Sequence, residues 1–259
     1  MAAPLAGLTV LLTRAEPLLS ESVRALEEAG ARVLAIPLIR IEPVHEPAAV
    51  QSVKNAVMEL DRYDMAIFIS TNAARLGMEW IDRYWPQLPR DLTAWSVGPG
   101  TARVLEEFTW PVQCPPEGVT SEALLDMPEM RDVDGKRIAL FRGVGGRETL
   151  AAKLRERGAT VDYIELYVRE PRPEAADELA AALAEESVDA VVASSLQITQ
   201  ELEGLVEKVP GGGRLLGIPL LVPSERVAAY AREAGFEHVI NAGGAGDNAV
   251  LSALASLRD

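Results

Sequence analysis

With 259 residues, 48% hydrophobic and 25% charged, the chain is long for one α/β domain, comfortable for two, and apolar enough to bury real cores. A formal net charge of −14 argues against nucleic acid, whose phosphates need a basic face, and no stretch approaches the roughly 20 apolar residues of a membrane span. One cysteine, Cys114, and two distant histidines, His45 and His238, exclude an internal disulfide and leave almost no ligands for zinc or iron, so a cofactor-free protein of a reducing cytoplasm is expected.

The opening MAAPLAGLTVLLTR lacks the basic start of a secretion signal and reads as the first core strand. Residues 7–43 run strand, helix, strand. TVLLT is an apolar run suited to burial on both faces, Gly30 is a helix stop that accepts positive φ, and VLAIPLIRI is a long strand ending at Pro43. Residues 47–61 are helical in pattern, with Pro47 near the start. DMAIFISTNAARL (64–76) is a strand ending in small hydroxyl residues and then a helix. TAWSVGPGTARVLEE (93–107) is a strand, a proline and a helix start, and WPVQCPPEGVTSEALLDM (110–127) closes this set.

Residues 135–171 repeat 7–43 at an offset of 128, without a gap and with 12 identities in 37 positions. The identities include Arg14 with Arg142, Gly30 with Gly158, and Pro43 with Pro171. After the second copy, 173–186 is again helical, and 189–202, 215–235 and 237–254 parallel the three segments that follow the first copy. The chain thus offers two strands, three strands, two and three. One pair with one triplet makes a five-stranded parallel sheet with helices on both faces, flavodoxin-like in order. Adjacency favours pairing each two with the next three, whereas the long strands ending at Pro43 and Pro171 suit an exchange; the pattern leaves both open.

In such folds ligands bind beyond the C-terminal ends of the strands, near helix N-termini. Here those ends carry Thr13-Arg14, Ser70-Thr71-Asn72, Gly98-Pro99-Gly100-Thr101, Arg142-Gly143-Val144-Gly145-Gly146-Arg147, Ser194-Ser195 and Pro223-Ser224. Hydroxyls, glycines and arginines at helix starts suit an anionic ligand. Each has an ordinary explanation too: Ser70, Ser195 and Ser224 are good N-caps, Arg14 and Arg142 can pair with nearby glutamates, and RGVGG can be a tight turn. Their coincidence at one end of both sheets favours function. RGVGGRE lacks the Lys-Ser/Thr of a P-loop, and no Ser-His-Asp set or clustered aspartate motif is visible. Tyr163 and Tyr167, at even spacing on one strand, are expected on the same face.

VLLTR, IFISTNAARL, SVGPGTARVLEE, LFRGVGGRETLAAKLRERGATVDYIELYVREP and LLVPSERVAAYAREAGF together resemble the uroporphyrinogen-III synthase family along essentially the whole chain. The resemblance implies two flavodoxin-like, doubly wound parallel-sheet domains joined by a two-stranded linker. It places 1–38 with 170–259, inserts 39–169, and puts the linker at about 36–42 and 164–171. The implied activity is dehydrating cyclisation of hydroxymethylbilane, which carries eight carboxylates, with inversion of the last pyrrole ring. That is a lyase of tetrapyrrole biosynthesis (haem, sirohaem, cobalamin).

No cofactor or metal is implied. The implied protein is a cytoplasmic monomer with a small-molecule substrate handed over transiently by the preceding pathway enzyme, and with neither nucleic acid nor membrane as partner. Tyr167 matches the family's interdomain tyrosine and is the expected proton donor. Arg14, Ser70, Thr71, Asn72, Arg142, Gly145, Gly146, Ser194, Ser195 and Ser224 are the expected substrate contacts. Ser224 stands where threonine is frequent in the family, and Glu225 where a second neutral hydroxyl is, which sets an acid beside an anionic substrate. The alternative is a non-catalytic, hinge-type two-domain binding protein for an anionic small molecule.

Overall fold

Runs such as Thr9–Leu12, Met65–Phe68 and Ala190–Val192 have no polar alternation, so as strands they must be covered on both faces. The computed structural model describes residues 3–16, 18–116, 118, 120–146 and 148–257; Arg147 lies outside them. Its strands are β1 (Thr9–Leu12), β2 (Arg32–Ala35), β3 (Ile39–Pro43), β4 (Met65–Phe68), β5 (Thr93–Ser96), β6 (Val112–Gln113), β7 (Arg137–Gly143), β8 (Thr160–Pro171), β9 (Ala190–Val192), β10 (Leu220–Val222) and β11 (Val239–Asn241).

The chain divides into two units, Met1–Arg40 with Glu170–Asp259, and Ile41–Arg169. The first holds a sheet of order β11-β10-β9-β1-β2, parallel throughout. The second sheet has the order β3-β8-β7-β4-β5-β6, with β8, β7, β4, β5 and β6 parallel. The fold class is therefore α/β with parallel sheets. Of the first repeat copy, β1 and β2 sit with the strands at the C-terminus, not with their sequence neighbours, so the exchanged pairing is the one adopted for them; β3 joins the edge of the second sheet, which has six strands where five were expected.

Alternation along the strands builds two cores per sheet. In the first unit Val10 and Leu12 join Leu26, Val192 and Leu254, while Leu11 joins Leu179, Val191 and Leu202 on the other face. In the second, Ala66, Phe68, Ala139 and Phe141 lie on one face and Met65, Ile67, Ile138 and Leu140 on the other. Each such leucine or isoleucine withdrawn from water contributes about 1.5–3 kcal/mol. Gly30 and Gly158, at φ +95° and +90°, stop the two repeat helices in the left-handed region where a side chain is strained.

Two expectations are corrected. The long strand 33–41 is broken: β2 stops at Ala35 and β3 starts at Ile39. Pro37 has no N–H to give a ladder, and its repeat partner Glu165 lies inside the unbroken twelve-residue β8. Tyr163 and Tyr167 do not share a face either. Between Arg142 and Gly143 the register slips, pairing Arg142 with Glu165 but Gly143 with Tyr167. That bulge turns Tyr167 onto the face of Ile164 and Leu166, while Tyr163 packs with Val161 on the other.

Candidate functional site

In the second unit, a cavity of about 320 Å³ lies at the C-terminal ends of β4, β5 and β7, lined by Ile69, Val97, Thr120, Ser121, Gly143, Gly145, Gly146 and Arg169 among others. Ser70 follows β4 and caps the helix Thr71–Tyr84, its Oγ accepting from Ala73 N–H at 3.0 Å. Thr71 and Asn72, both half-buried, form that helix's first turn. Their N–H groups are among those an α-helix leaves without internal acceptors.

Tyr167 is fully buried. Its Oη lies 2.9 Å from Ser70 Oγ and accepts from Arg169 Nη2 at 2.9 Å, while the guanidinium sits 5.1 Å from its ring centroid. Ser70 is half-buried and Arg169 is exposed. The three make a polar line from the exposed Arg169, through a covered phenol, to a hydroxyl at a helix start.

Arg142 is 1% exposed and is turned inward. It donates Nε to Gly143 O at 3.1 Å, Nη2 to Gly145 O, and Nη1 to Glu148 Oε1 at 3.0 Å, and it stacks 4.6 Å from the Tyr163 ring centroid. With the carbonyls of the loop drawn onto Arg142, Gly145 and Gly146 stand exposed at φ +72° and +95°. Among the described residues their N–H groups have no acceptor. Glu148 is held below the usual carboxylate range, first by the Tyr163 hydroxyl and then by Arg142.

The first unit repeats the theme. Thr13 Oγ1 donates to Val192 O at 2.7 Å. Arg14, 9% exposed, donates Nη1 to Ser22 Oγ at 2.7 Å and to Asp247 Oδ1 at 3.2 Å; burial lowers its pKa, and Asp247 opposes that. Ser195 caps the helix Leu196–Val206 through Ile198 N–H at 3.2 Å, with Ser194 half-buried beside it. Ser224 occupies the cap position of Glu225–Glu233 but makes no cap bond. Glu225 accepts from Arg232 at 2.7 Å, which lowers its pKa, so the acid after Ser224 is already paired. Among the described residues no group of three or more His, Cys, Asp or Glu is placed to hold a metal, and no helix is long and apolar enough to cross a membrane.

Residues 20–250 match a family model described as uroporphyrinogen-III synthase HemD. The chain belongs to the uroporphyrinogen-III synthase family. It is 31% identical to the uroporphyrinogen-III synthase of Escherichia coli K12 over 251 residues, covering 95% of this chain and all of that protein. It is 32% identical to that of Proteus mirabilis over 163 residues, 62% of this chain and 80% of the relative. Uroporphyrinogen III synthase from the extreme thermophile Thermus thermophilus superposes with a TM-score of 0.61 at 21% identity, covering 98% of this chain and 100% of that one, which bears on fold alone. Membership of the uroporphyrinogen-III synthase family favours an enzyme over the hinge-type binding protein.

For this synthase-family chain, sequence reasoning picked out the strand ends but missed what organises them. Ser22 and Asp247, the partners of Arg14, lie 225 residues apart, and no local pattern links them. Glu148 carries a weaker signal, an acid six residues after a buried arginine at a helix start. Arg169 was readable only as part of the tyrosine-containing strand. The structure brings Ser70 and Tyr167 into contact and sets Arg142 beneath Gly145 and Gly146. Arg14, Ser194, Ser195 and Ser224 belong to the other unit.

Proposed function

We propose that the chain closes hydroxymethylbilane to uroporphyrinogen III, losing water and inverting the last pyrrole ring, as a cyclising hydro-lyase of tetrapyrrole biosynthesis. The observation that carries this reading is the match to a uroporphyrinogen-III synthase across nearly the full length of both chains. In this reading 1–38 with 170–259 and 39–169 are two flavodoxin-like domains, and the strands near 36–42 and 164–171 are their linker.

The bilane closes without help to the type I isomer, so the protein's main task is to impose geometry, which is worth several kcal/mol of barrier, on the order of 7–11 at most. The substrate's carboxylates are met by the free N–H groups of Gly145 and Gly146, by the helix starts at Thr71 and Asn72, and by Ser194, Ser195 and Ser224. Arg142 acts chiefly by fixing the Gly145–Gly146 loop, because its Nε, Nη1 and Nη2 all donate within the protein, and Arg14 ties its strand end to Ser22 and Asp247 through Nη1. Departure of hydroxide needs a proton or a strong hydrogen bond, and the Tyr167 group supplies it. The protein works without metal or cofactor, as a monomer in the cytoplasm, receiving its substrate by transient handover from the preceding enzyme of its pathway. Incubation with freshly made hydroxymethylbilane, followed by oxidation and chromatography of the porphyrins, tests this: type III is expected, and type I alone refutes it.

A further inference from the structure

The hydrogen-bond accounting around Tyr167 assigns each proton. Arg169 has only donors, so Tyr167 Oη accepts its Nη2 at 2.9 Å. The phenol's own hydrogen then needs an acceptor. Tyr167 is fully buried, and among the described residues Ser70 Oγ, at 2.9 Å, is the acceptor within reach. Were Ser70 to donate instead, the phenol hydrogen of the fully buried Tyr167 would have no acceptor among the described residues, a penalty of the kind native structures avoid.

Ser70 Oγ therefore accepts from both Tyr167 and Ala73 N–H, and its lone pairs are filled. Its own hydrogen has no acceptor among the described residues, and Ser70 is half-buried, where the phenol behind it is fully covered. We propose that Ser70 is the catalytic residue that touches the departing hydroxyl, and that Tyr167 and Arg169 are positioning residues acting through it. This rests on the synthase reading.

The step balances. The carbon–oxygen bond of the hydroxymethyl group breaks with its pair on oxygen, helped by the pyrrole nitrogen pair, and the oxygen takes the Ser70 proton and leaves as water. Ser70 takes the Tyr167 proton, leaving a phenolate beside Arg169. A carbon–carbon bond forms at the carbon of the last ring that already carries its bridge, giving a spiro centre. The original bridge bond then breaks and re-forms at the ring's free α-carbon, which inverts the ring, and that carbon loses its hydrogen to restore aromaticity. That proton returns through Ser70 to Tyr167. Ala73 N–H and the helix start bear on Ser70 Oγ as its proton moves.

The test compares Ser70→Gly, Ser70→Thr, Tyr167→Phe and the double variant Ser70→Gly/Tyr167→Phe by the rate of type III formation. Glycine is nearly as good an N-cap as serine, so Ser70→Gly removes the hydroxyl while sparing the helix. Its kcat should fall by about 10- to 1,000-fold with KM little changed, and Ser70→Thr should restore kcat to within about threefold. The double variant should be no slower than the slower single one, because relay members act as a unit. A folded Ser70→Gly enzyme with wild-type kcat, or losses that multiply in the double variant, would overturn the inference while leaving the synthase reading intact. Wild-type protein yielding only type I overturns both.

Discussion

Gly143 and Tyr167 compete for one space: a Cβ built on Gly143 would stand 2.6 Å from Cε2 and 2.8 Å from Cζ of the phenol ring. The bulge that pairs these two residues and the missing side chain together leave room for the ring against Gly143. Gly143→Ala forces the ring to move, at a cost of about 1–3 kcal/mol as for other overpacked sites. The Ser70 bond should go with it, so kcat should fall along with the urea midpoint. An alanine variant with both unchanged would mean that the contact is slack.

Arg14 and Arg142 should matter to stability as well as to substrate. Arg142 bonds two backbone carbonyls from a buried position, and Arg14 bonds Ser22 and Asp247. Truncation of Arg142 to alanine strands the buried Gly143 carbonyl, and truncation of Arg14 takes the cation from Asp247, which stays bonded to Ser22; each should cost about 1–3 kcal/mol in urea unfolding. KM should rise with Arg142→Ala because Gly145 and Gly146 lose their support, and Lys, which cannot bridge three acceptors in a plane, should not restore it. Unchanged unfolding midpoints would return both guanidinium groups to free anion binding.

These residues also show where the sequence was readable. The repeat, the strand ends and the caps at Ser70 and Ser195 follow from local pattern, because strand apolarity and cap chemistry are local. The inward turn of Arg142 was hidden because an arginine before a glycine loop reads equally as an anion site. The face of Tyr167 was hidden because a bulge shifts period-two alternation without leaving a local mark. The bond from Arg14 to Asp247 was hidden because it closes only when the first repeat copy pairs with the end of the chain.

Glu148 gives a pH-dependent handle on the loop. Its carboxyl is held low by the Tyr163 hydroxyl and by Arg142. A depressed folded pKa means that its contribution is present above the ordinary carboxylate value and fades as pH falls through the folded one. Tyr163→Phe should move the Glu148 titration, followed by carboxyl carbon NMR, towards 4.5. An unmoved titration would show that Arg142 alone sets it.

Tyr63 is a control at the opposite ends of β7 and β8, near Arg137 and Asp162. Burial, then the hydrogen bond to Asp162, pushes its phenol up to about 12. A raised folded pKa favours the neutral phenol, so this contribution holds below pH 10 and is lost as pH climbs towards 12. Tyr230, hydrogen-bonded to Glu203, is also raised, so ultraviolet titration should show late tyrosine absorbance that Tyr63→Phe reduces by one phenol while type III formation is unaffected. An unchanged titration in that variant would assign the late phenol elsewhere.

The central claim is that this protein imposes inversion of the last ring. The direct measurement is the ratio of type III to type I porphyrin from fresh hydroxymethylbilane across a series of protein concentrations. The ratio should climb with wild-type protein until type I disappears. With Tyr167→Phe it should climb at protein concentrations about 10- to 1,000-fold higher, because the product made on the protein stays type III while uncatalysed closure has longer to compete. A ratio fixed at that of spontaneous closure, at every concentration of folded wild-type protein, would contradict the claim.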